Sequence, residues 1–480
     1  MPLEIIDEIV YLNAESAKVM NTHTLLLINP ADLESHYASF AYPPLALLTL
    51  AGLTPRDEWS ISIVDHNIRA SRQVPVPDLV GITVMTLTAK DAYETADEYR
   101  KKGIPVVLGG VHVSMVPQEA LAHADAVVVG EAENIWKLVL KDAKKGSLQR
   151  IYHGDHCDLQ QHSVLPDLRY INNKKYIAGV VQTARGCPFS CEFCSVTTYS
   201  GTVRRFKPVD HVIQEIQQVP QRFVFISDDN FFGYSAADQA RAEELLKAII
   251  RHNIKKLFFT QTGINAAWHP DLLRLAKQAG FFAVFIGFES FLKPVLQGSM
   301  QKRINARCVE NLYSEEIRNI HQAGIVIFGQ HIFGHDEETP TMALKNIDLI
   351  AASGIDGIGI APLIAVPGTR LFERIRADTR LLATPSPDVY NKLFYDITHT
   401  TPSILNYDQL VCIRRYIDKR IYAIHLIVIR FLKTFIATRS IIGALGCLQQ
   451  NLYMKKINRV MIRFNRKQTL ENHVPVPGVQ

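Results

Sequence analysis

Cysteine is scarce in this chain, seven in 480 residues, and none precedes Cys157. That scarcity argues against a disulfide-stapled secreted fold. A secretory leader is also missing from the reading: MPLEIIDEIVYLNAESAKVM carries acidic residues early and has no uninterrupted apolar run, so the chain is expected in the cytoplasm. No long hydrophobic run is present either. The best candidate, from Ile421 to Ala437, is broken by Arg430 and Lys433 and reads as a buried or interfacial helix rather than a span. Charge of one sign is not in great excess, with 52 Lys and Arg against 47 Asp and Glu. The imbalance sits at the C-terminus, where residues 401–480 hold thirteen basic side chains and three acidic ones, so nucleic acid is not an expected partner.

What is there is a cluster of three of the seven cysteines. Cys187, Cys191 and Cys194 in RGCPFSCEFCSV follow the spacing CxxxCxxC. Structural zinc would need a fourth Cys or His at a short offset, and the next cysteine is Cys308. An electron-transfer ferredoxin cluster would want four ligands. Three thiolates hold three irons of a 4Fe-4S cube and leave the fourth open, which is a catalytic arrangement.

The length suggests two or three domains. From residue 22 to 145, strand-like runs TLLLIN, SISIVD, DLVGIT, PVVLGG and AVVVG alternate with helical stretches, predicting a doubly wound parallel sheet. AKDAYETADEYRKKG is helical, with Gly103 placed to end it. In such sheets ligands sit beyond the C-terminal strand ends, here the loops after Asn29, Thr83, Gly109 and Gly130. Residues 146–178 are polar and irregular and read as a linker. From 179 to 385 six further strand-helix units follow: GVVQTAR, RFVFISD, KLFFTQT, FAVFIGF, GIVIFGQHIFG and GIDGIGIAPL. They predict a partial barrel with the cysteine loop at its C-terminal mouth. Residues 386–480 read as mainly helical and basic, a pattern that packs as a cap or lies on an anionic membrane as a peripheral contact.

With Phe193 as the aromatic of CxxxCxφC, the cysteine segment resembles that of the radical S-adenosylmethionine (SAM) superfamily. The first half resembles the cobalamin-binding domain that precedes the radical core in one large branch. The residues carrying that resemblance are YPPLALLTLAG, DLVGIT, VVLGGVHVS and ADAVVVGEAE. The fold class implied is α/β: a Rossmann-like cobalamin-binding domain, a partial (βα)6 TIM-like core and a helical C-terminal region. The cofactors implied are a 4Fe-4S cluster on Cys187, Cys191 and Cys194, SAM and cobalamin. The resemblance puts Phe193, Asp228, Asp229, Glu289, Ser290, Ile332, Gly334 and Glu337 around SAM. Gln330 stands where the GxIxGxxE pattern begins with glycine. Thr83, Thr86, Gly109, Gly110, His112, Gly130 and Glu131 are placed around cobalamin. The string DxHxxG of histidine-ligated corrinoids does not occur, so a histidine lower ligand is not expected.

The resemblance further implies radical-based methylation of an unreactive carbon in a small-molecule or lipid-like substrate, with the corrinoid carrying the methyl and a flavodoxin or ferredoxin supplying electrons. Cyclisation or rearrangement without methyl transfer is the alternative within the class. A corrinoid or redox sensor is the alternative outside it, and the acidic mouth residues argue against a sensor.

Overall fold

The computed structural model describes residues 22–31, 42–68, 75–189, 191–298, 300, 302–381, 386–390, 405 and 407–471. The N-terminal segment read above as lacking a leader lies outside them. The chain forms two compact units, Met1–Pro188 with Ser195–Arg222, and Phe189–Cys194 with Phe223–Gln480.

The first unit is built on β1 (His23–Asn29), β2 (Trp59–Asp65), β3 (Leu79–Thr83), β4 (Val106–Gly109), β5 (Ala126–Gly130) and β6 (Ile151–Gly154), in the order β2-β1-β3-β4-β5-β6 with every pairing parallel. Its central strands β1, β3, β4 and β5 are largely apolar runs because helices cover the sheet. Leu25, Leu27, Leu79, Val107 and Val128 pack with Leu47, Trp59 and Trp136 in one buried core. The order reverses at β1, so the loop after β3 stands at the switch point where such sheets hold ligands. The helix Ala89–Lys101 forms as expected, and Gly103 just beyond it has φ +75°. Two expectations change. The linker contains β6, the sixth strand of the sheet, and Cys157 within it is fully buried. GVVQTAR divides into β7 (Ala178–Val181) and β8 (Ala184–Arg185), and β8 pairs antiparallel with β9 (Arg205–Phe206).

β10 (Phe223–Ile226), β11 (Leu257–Thr262), β12 (Phe281–Glu289), β13 (Val326–Phe333) and β14 (Gly357–Pro362) run parallel in a second sheet of order β14-β13-β12-β11-β10-β7. Its two faces differ. Val224, Ile226, Phe258, Thr260, Val284, Ile286 and Ile327 on one face are sealed. The other face is partly open: Phe225 and Phe285 are half-buried and Gln261 is exposed. This is the architecture of an open partial barrel, with helices outside and the concave face as its lumen. Beyond it lie the helices Tyr407–Arg420, Ile424–Thr438 and Ile441–Glu471.

Candidate active site

The cysteine loop leaves β8 through Gly186. Gly186 has φ +97°, and a Cβ there would fall 2.3 Å from the Val203 carbonyl oxygen, so only glycine serves. The Cys187 amide donates to the Gly201 carbonyl at 3.2 Å, and the Cys194 amide donates to the Cys191 carbonyl at 3.2 Å. All three thiols are partly exposed, whereas Cys157, Cys308 and Cys447 are buried. Among the described residues, no three His, Cys, Asp or Glu side chains gather around a single ion position. Three accessible thiols on one short loop, without a compact mononuclear site, form a donor set that fits an iron-sulfur cube held from one side.

Several groups that the sequence did not single out brace this loop. Glu192, inside the motif, is gripped by both ends of the Arg374 guanidinium, Nε to Oε1 at 2.5 Å and Nη2 to Oε2 at 3.2 Å. Arg374 also donates to Asp336 at 2.7 Å, and Arg380 donates to the same carboxylate. Burial would raise the Asp336 pKa, but the two guanidiniums outweigh it and hold the carboxyl well below the usual range. The Leu371 amide donates to the Glu192 carbonyl at 3.0 Å. Phe193 packs against the cluster of Ala365, Leu371 and Phe372 and against that of Leu292, Val295 and Met300. A bidentate clamp of this kind fixes geometry as well as charge. Arg374→Ala is therefore expected to lower the iron retained per chain and to speed bleaching of the cluster absorbance in air several-fold. Arg374→Lys, which keeps the charge but cannot fork, should recover only part of the loss.

At the C-terminal end of β12, Glu289 has φ +64°, a conformation rare for non-glycine residues and often found at functional sites. Its Oε1 accepts from Lys302 Nζ at 2.5 Å, and Lys302 also donates to the Gly287 carbonyl at 3.3 Å. Burial works against the Lys302 charge, yet Glu289 and Cys191 together hold its pKa above the ordinary value. For Cys191, burial pushes the thiol up and Lys302 opposes that shift. The pair thus faces the cysteine loop. No motif announced Lys302; only the fold brings it to Glu289.

The remaining residues expected around SAM divide. Asp229 continues the open face of β10 and is half-buried, while Asp228 is buried on the other side and its charge acts on Arg241. Asn230 Oδ1 accepts from Thr262 Oγ1 at 2.9 Å and from the Gly263 amide at 3.2 Å, locking the loops after β10 and β11 together. Ser290 corrects the expectation: it is fully buried, and its Oγ accepts from the Leu292 amide at 3.1 Å, so it builds a turn and does not line the mouth. Ile332 is half-buried on the lumen side, and Gly334 has φ +88°. Glu337 lies against Gly298, whereas the carboxylate that holds Gly334 is its neighbour: Glu338 Oε2 accepts from the Gly334 amide at 2.6 Å.

Glu338 is fully buried, and burial raises its pKa to about 7 from 4.5. Below pH 4.5 both folded and unfolded chains carry the proton. As pH rises toward 7 the unfolded chain ionises first, so stability falls across that window and is level above it. Glu338→Gln keeps an acceptor for Gly334 and removes this slope. Thermal melts should show the variant more stable than the parent at pH 7.5, by on the order of 3 kcal/mol, with no difference at pH 4.5.

The first unit's rim is formed by Thr83, Met85, Thr86 and Gly109–Gly110. Met85 is 62% exposed. Gly110 has φ +103°, and a Cβ there would lie 2.8 Å from the Val84 carbonyl oxygen. Two glycines beside Thr83 and Thr86 at the switch point fit a large flat cofactor approaching backbone. Three expected contacts are corrected. His112 is fully buried with its ring nitrogens toward Thr86 Oγ1 at 3.3 Å and Glu119 Oε1 at 3.1 Å, so it braces the rim from behind. Gly130 is packed on Gly154, its Cβ position 2.1 Å from that carbonyl oxygen. Glu131 has a fully buried side chain that pairs with Arg185 at 3.0 Å and accepts from Arg205 Nη1 and the Cys157 amide, each at 2.8 Å. Arg185 Nη2 also donates to Glu133 at 2.6 Å. His66, at the end of β2, is held by Asp91 at 2.9 Å.

The chain thus combines a doubly wound sheet, which takes ligands at its switch point, with a partial barrel and a three-cysteine loop that fits an iron-sulfur cube. Residues 36–140 match the B12 binding domain family and residues 181–358 match the radical SAM superfamily. The chain is 29% identical over 367 residues to bacteriochlorophyllide d C-12(1)-methyltransferase of Chlorobaculum tepidum, covering 73% of this chain and 77% of that protein. It is 28% identical over 351 residues to hopanoid C-2 methylase of Rhodopseudomonas palustris, covering 71% and 65%. In fold it is similar to the radical SAM methyltransferase TsrM of Kitasatospora setae, with TM-score 0.65 and 18% identity over 93% of this chain and all of that one. The chain belongs to the radical SAM enzymes that carry a cobalamin-binding domain, whose cofactors are a 4Fe-4S cluster, SAM and cobalamin, and it is similar to their methyltransferase branch.

Proposed function

We propose that this enzyme methylates an unactivated carbon of a small, largely apolar polycyclic substrate held against the lumen of its barrel. The observation that carries the reading is the lumen floor. Phe225 stacks on Phe259 with centroids 5.1 Å apart, Phe259 lies 6.3 Å from Phe285, and Phe285 lies 4.8 Å from Phe328. Toward the mouth this floor gives way to Gln261, Gln330 and the small residues Gly287 and Gly359. A Cβ on Gly359 would meet Gln330 Oε1 at 2.3 Å, so the carboxamide lies over that glycine. An aromatic floor with a few amide groups above it suits an apolar body that carries polar edges.

When bound, the cluster with SAM supplies a hydrogen-abstracting radical and the corrinoid supplies the methyl group. The chain's own residues orient and seal. Arg374 and Phe193 hold the cysteine loop, Asn230 ties two mouth loops, and the Phe floor excludes water from the reacting carbon. The relatives named for bacteriochlorophyllide and hopanoid methylation lend this substrate class support.

The test supplies methyl-labelled SAM, cobalamin and reductant to anaerobically reconstituted protein with either a chlorin or a pentacyclic hopene. Label in one of these products supports the reading. Formation of 5'-deoxyadenosine with a rearranged but unlabelled product would replace it with methyl-free radical rearrangement.

A further inference from the structure

The helix Ile424–Thr438 is fastened to the barrel by its inner side alone. Thr434 Oγ1 donates to Asp356 Oδ1 at 2.7 Å, and Cys447 and Asn451 of the next helix reach the Asp356 carbonyl at 2.7 and 2.9 Å. Asp356 immediately precedes β14, so this attachment is at the N-terminal end of the barrel strands, opposite the mouth. Gly443 and Gly446 let the following helix close on the barrel there: a Cβ on Gly443 would lie 2.3 Å from Val326 Cγ2, and one on Gly446 would lie 3.7 Å from the Phe328 ring.

The outer side of the same helix is largely apolar and, among the described residues, uncovered. Ile424, Val428, Ile429, Leu432, Phe435 and Ile436 are between 43% and 74% exposed. Ile424, Val428, Leu432 and Ile436 recur every four residues and so form one stripe. Leu445 on the next helix adds to it at 51% exposure. Arg430, which breaks the apolar run in sequence, turns inward and donates to Asn451 at 2.8 Å and to the Ile421 carbonyl at 3.2 Å. Exposed apolar surface of this extent on a soluble domain marks an interaction face.

The charge around the stripe identifies its partner. Between Lys419 and Leu470 there is no Asp or Glu, while Lys419, Arg420, Arg430, Lys433, Arg439, Lys455, Lys456, Arg459, Arg463, Arg466 and Lys467 are basic. Lys433 and Arg439 are exposed beside the stripe. A second copy docking on the same face would bring these like charges together. The helix has 15 residues, roughly 22 Å of length, short of the ~30 Å hydrocarbon core, and no single helix among the described residues is long and apolar enough to cross a membrane. We infer that the Ile424–Thr438 face lies in the headgroup region of an anionic bilayer, anchoring the barrel by the end opposite its mouth. This stands whether or not the proposed substrate class is right.

The experiment is co-sedimentation of the full-length, cluster-loaded protein with phosphatidylcholine vesicles, with and without phosphatidylglycerol, at low and high salt. Binding only to the anionic vesicles, weakened by salt, is expected. Lys433→Ala and Arg439→Ala should each lower the partition coefficient about fivefold. Leu432→Asp combined with Ile436→Asp, both at exposed positions, should abolish binding with an unchanged melting temperature. Failure to bind phosphatidylglycerol vesicles at low salt overturns the inference. So does a dimer in solution that the double variant dissolves while vesicle binding is absent, since the face would then be a self-interface.

Discussion

Cys191→Ala is expected to remove the iron-sulfur chromophore and all reductive cleavage of SAM while leaving the protein folded. Cys191 is half-buried in a loop whose position does not depend on its thiol. Arg374 grips Glu192, the Leu371 amide holds the Glu192 carbonyl, and Phe193 is packed into two apolar clusters. Replacing the thiol with a methyl therefore costs the fold little, within about 1 kcal/mol. The chemistry loses much more, because two thiolates cannot hold the cube. Iron analysis and the visible spectrum should show the loss, and the melting temperature of the metal-free protein should match that of metal-free parent. Retained turnover would refute the ligand assignment.

The second large effect concerns stability. Glu131→Ala is expected to destabilise the first unit by about 3–5 kcal/mol, since it removes the buried carboxylate that Arg185 and Arg205 share and leaves Arg185 with Glu133 alone of its two carboxylates. Burial alone would push the Glu131 carboxyl up, but the Arg205 hydrogen bond and the Arg185 charge outweigh it and hold its pKa below the usual value. Because the folded pKa is depressed, this stabilisation is fully present above the unfolded value and is lost as pH falls through the folded one. Urea unfolding should show the deficit at pH 7 and a smaller one under strongly acidic conditions. Arg185 stands two residues before Cys187, so the variant should also load its cluster less completely. An unchanged denaturation midpoint at pH 7 would show that the network carries no net stability.

The extent to which the sequence disclosed this protein follows from the range of each interaction. The cluster ligands were legible because their spacing is local and their chemistry admits few alternatives. The two parallel sheets were legible because buried strands write themselves as apolar runs such as LLLIN and FAVFIGF. β6 was not, since IYHG is short and polar and becomes a strand only by pairing with β5. His112 and Ser290 were assigned to rims because they follow strand ends, but which way a side chain turns there is decided by packing against Thr86 and Glu119, or by a local turn. Glu131 and Arg185 are 54 positions apart, and Lys302 and Glu289 are 13 apart, so neither pairing leaves a pattern in the chain. Glu192 lay within the motif, yet its role depends on Arg374, 182 residues away.

The central claim is that one loop of this chain turns SAM into a radical source. Its most direct test is to quantify 5'-deoxyadenosine after adding SAM and a low-potential reductant to the anaerobically reconstituted protein, with the cluster monitored by its visible spectrum. Accumulation of 5'-deoxyadenosine by the parent and none by Cys191→Ala is the predicted result. No 5'-deoxyadenosine from protein whose cluster is intact and reduced would contradict it.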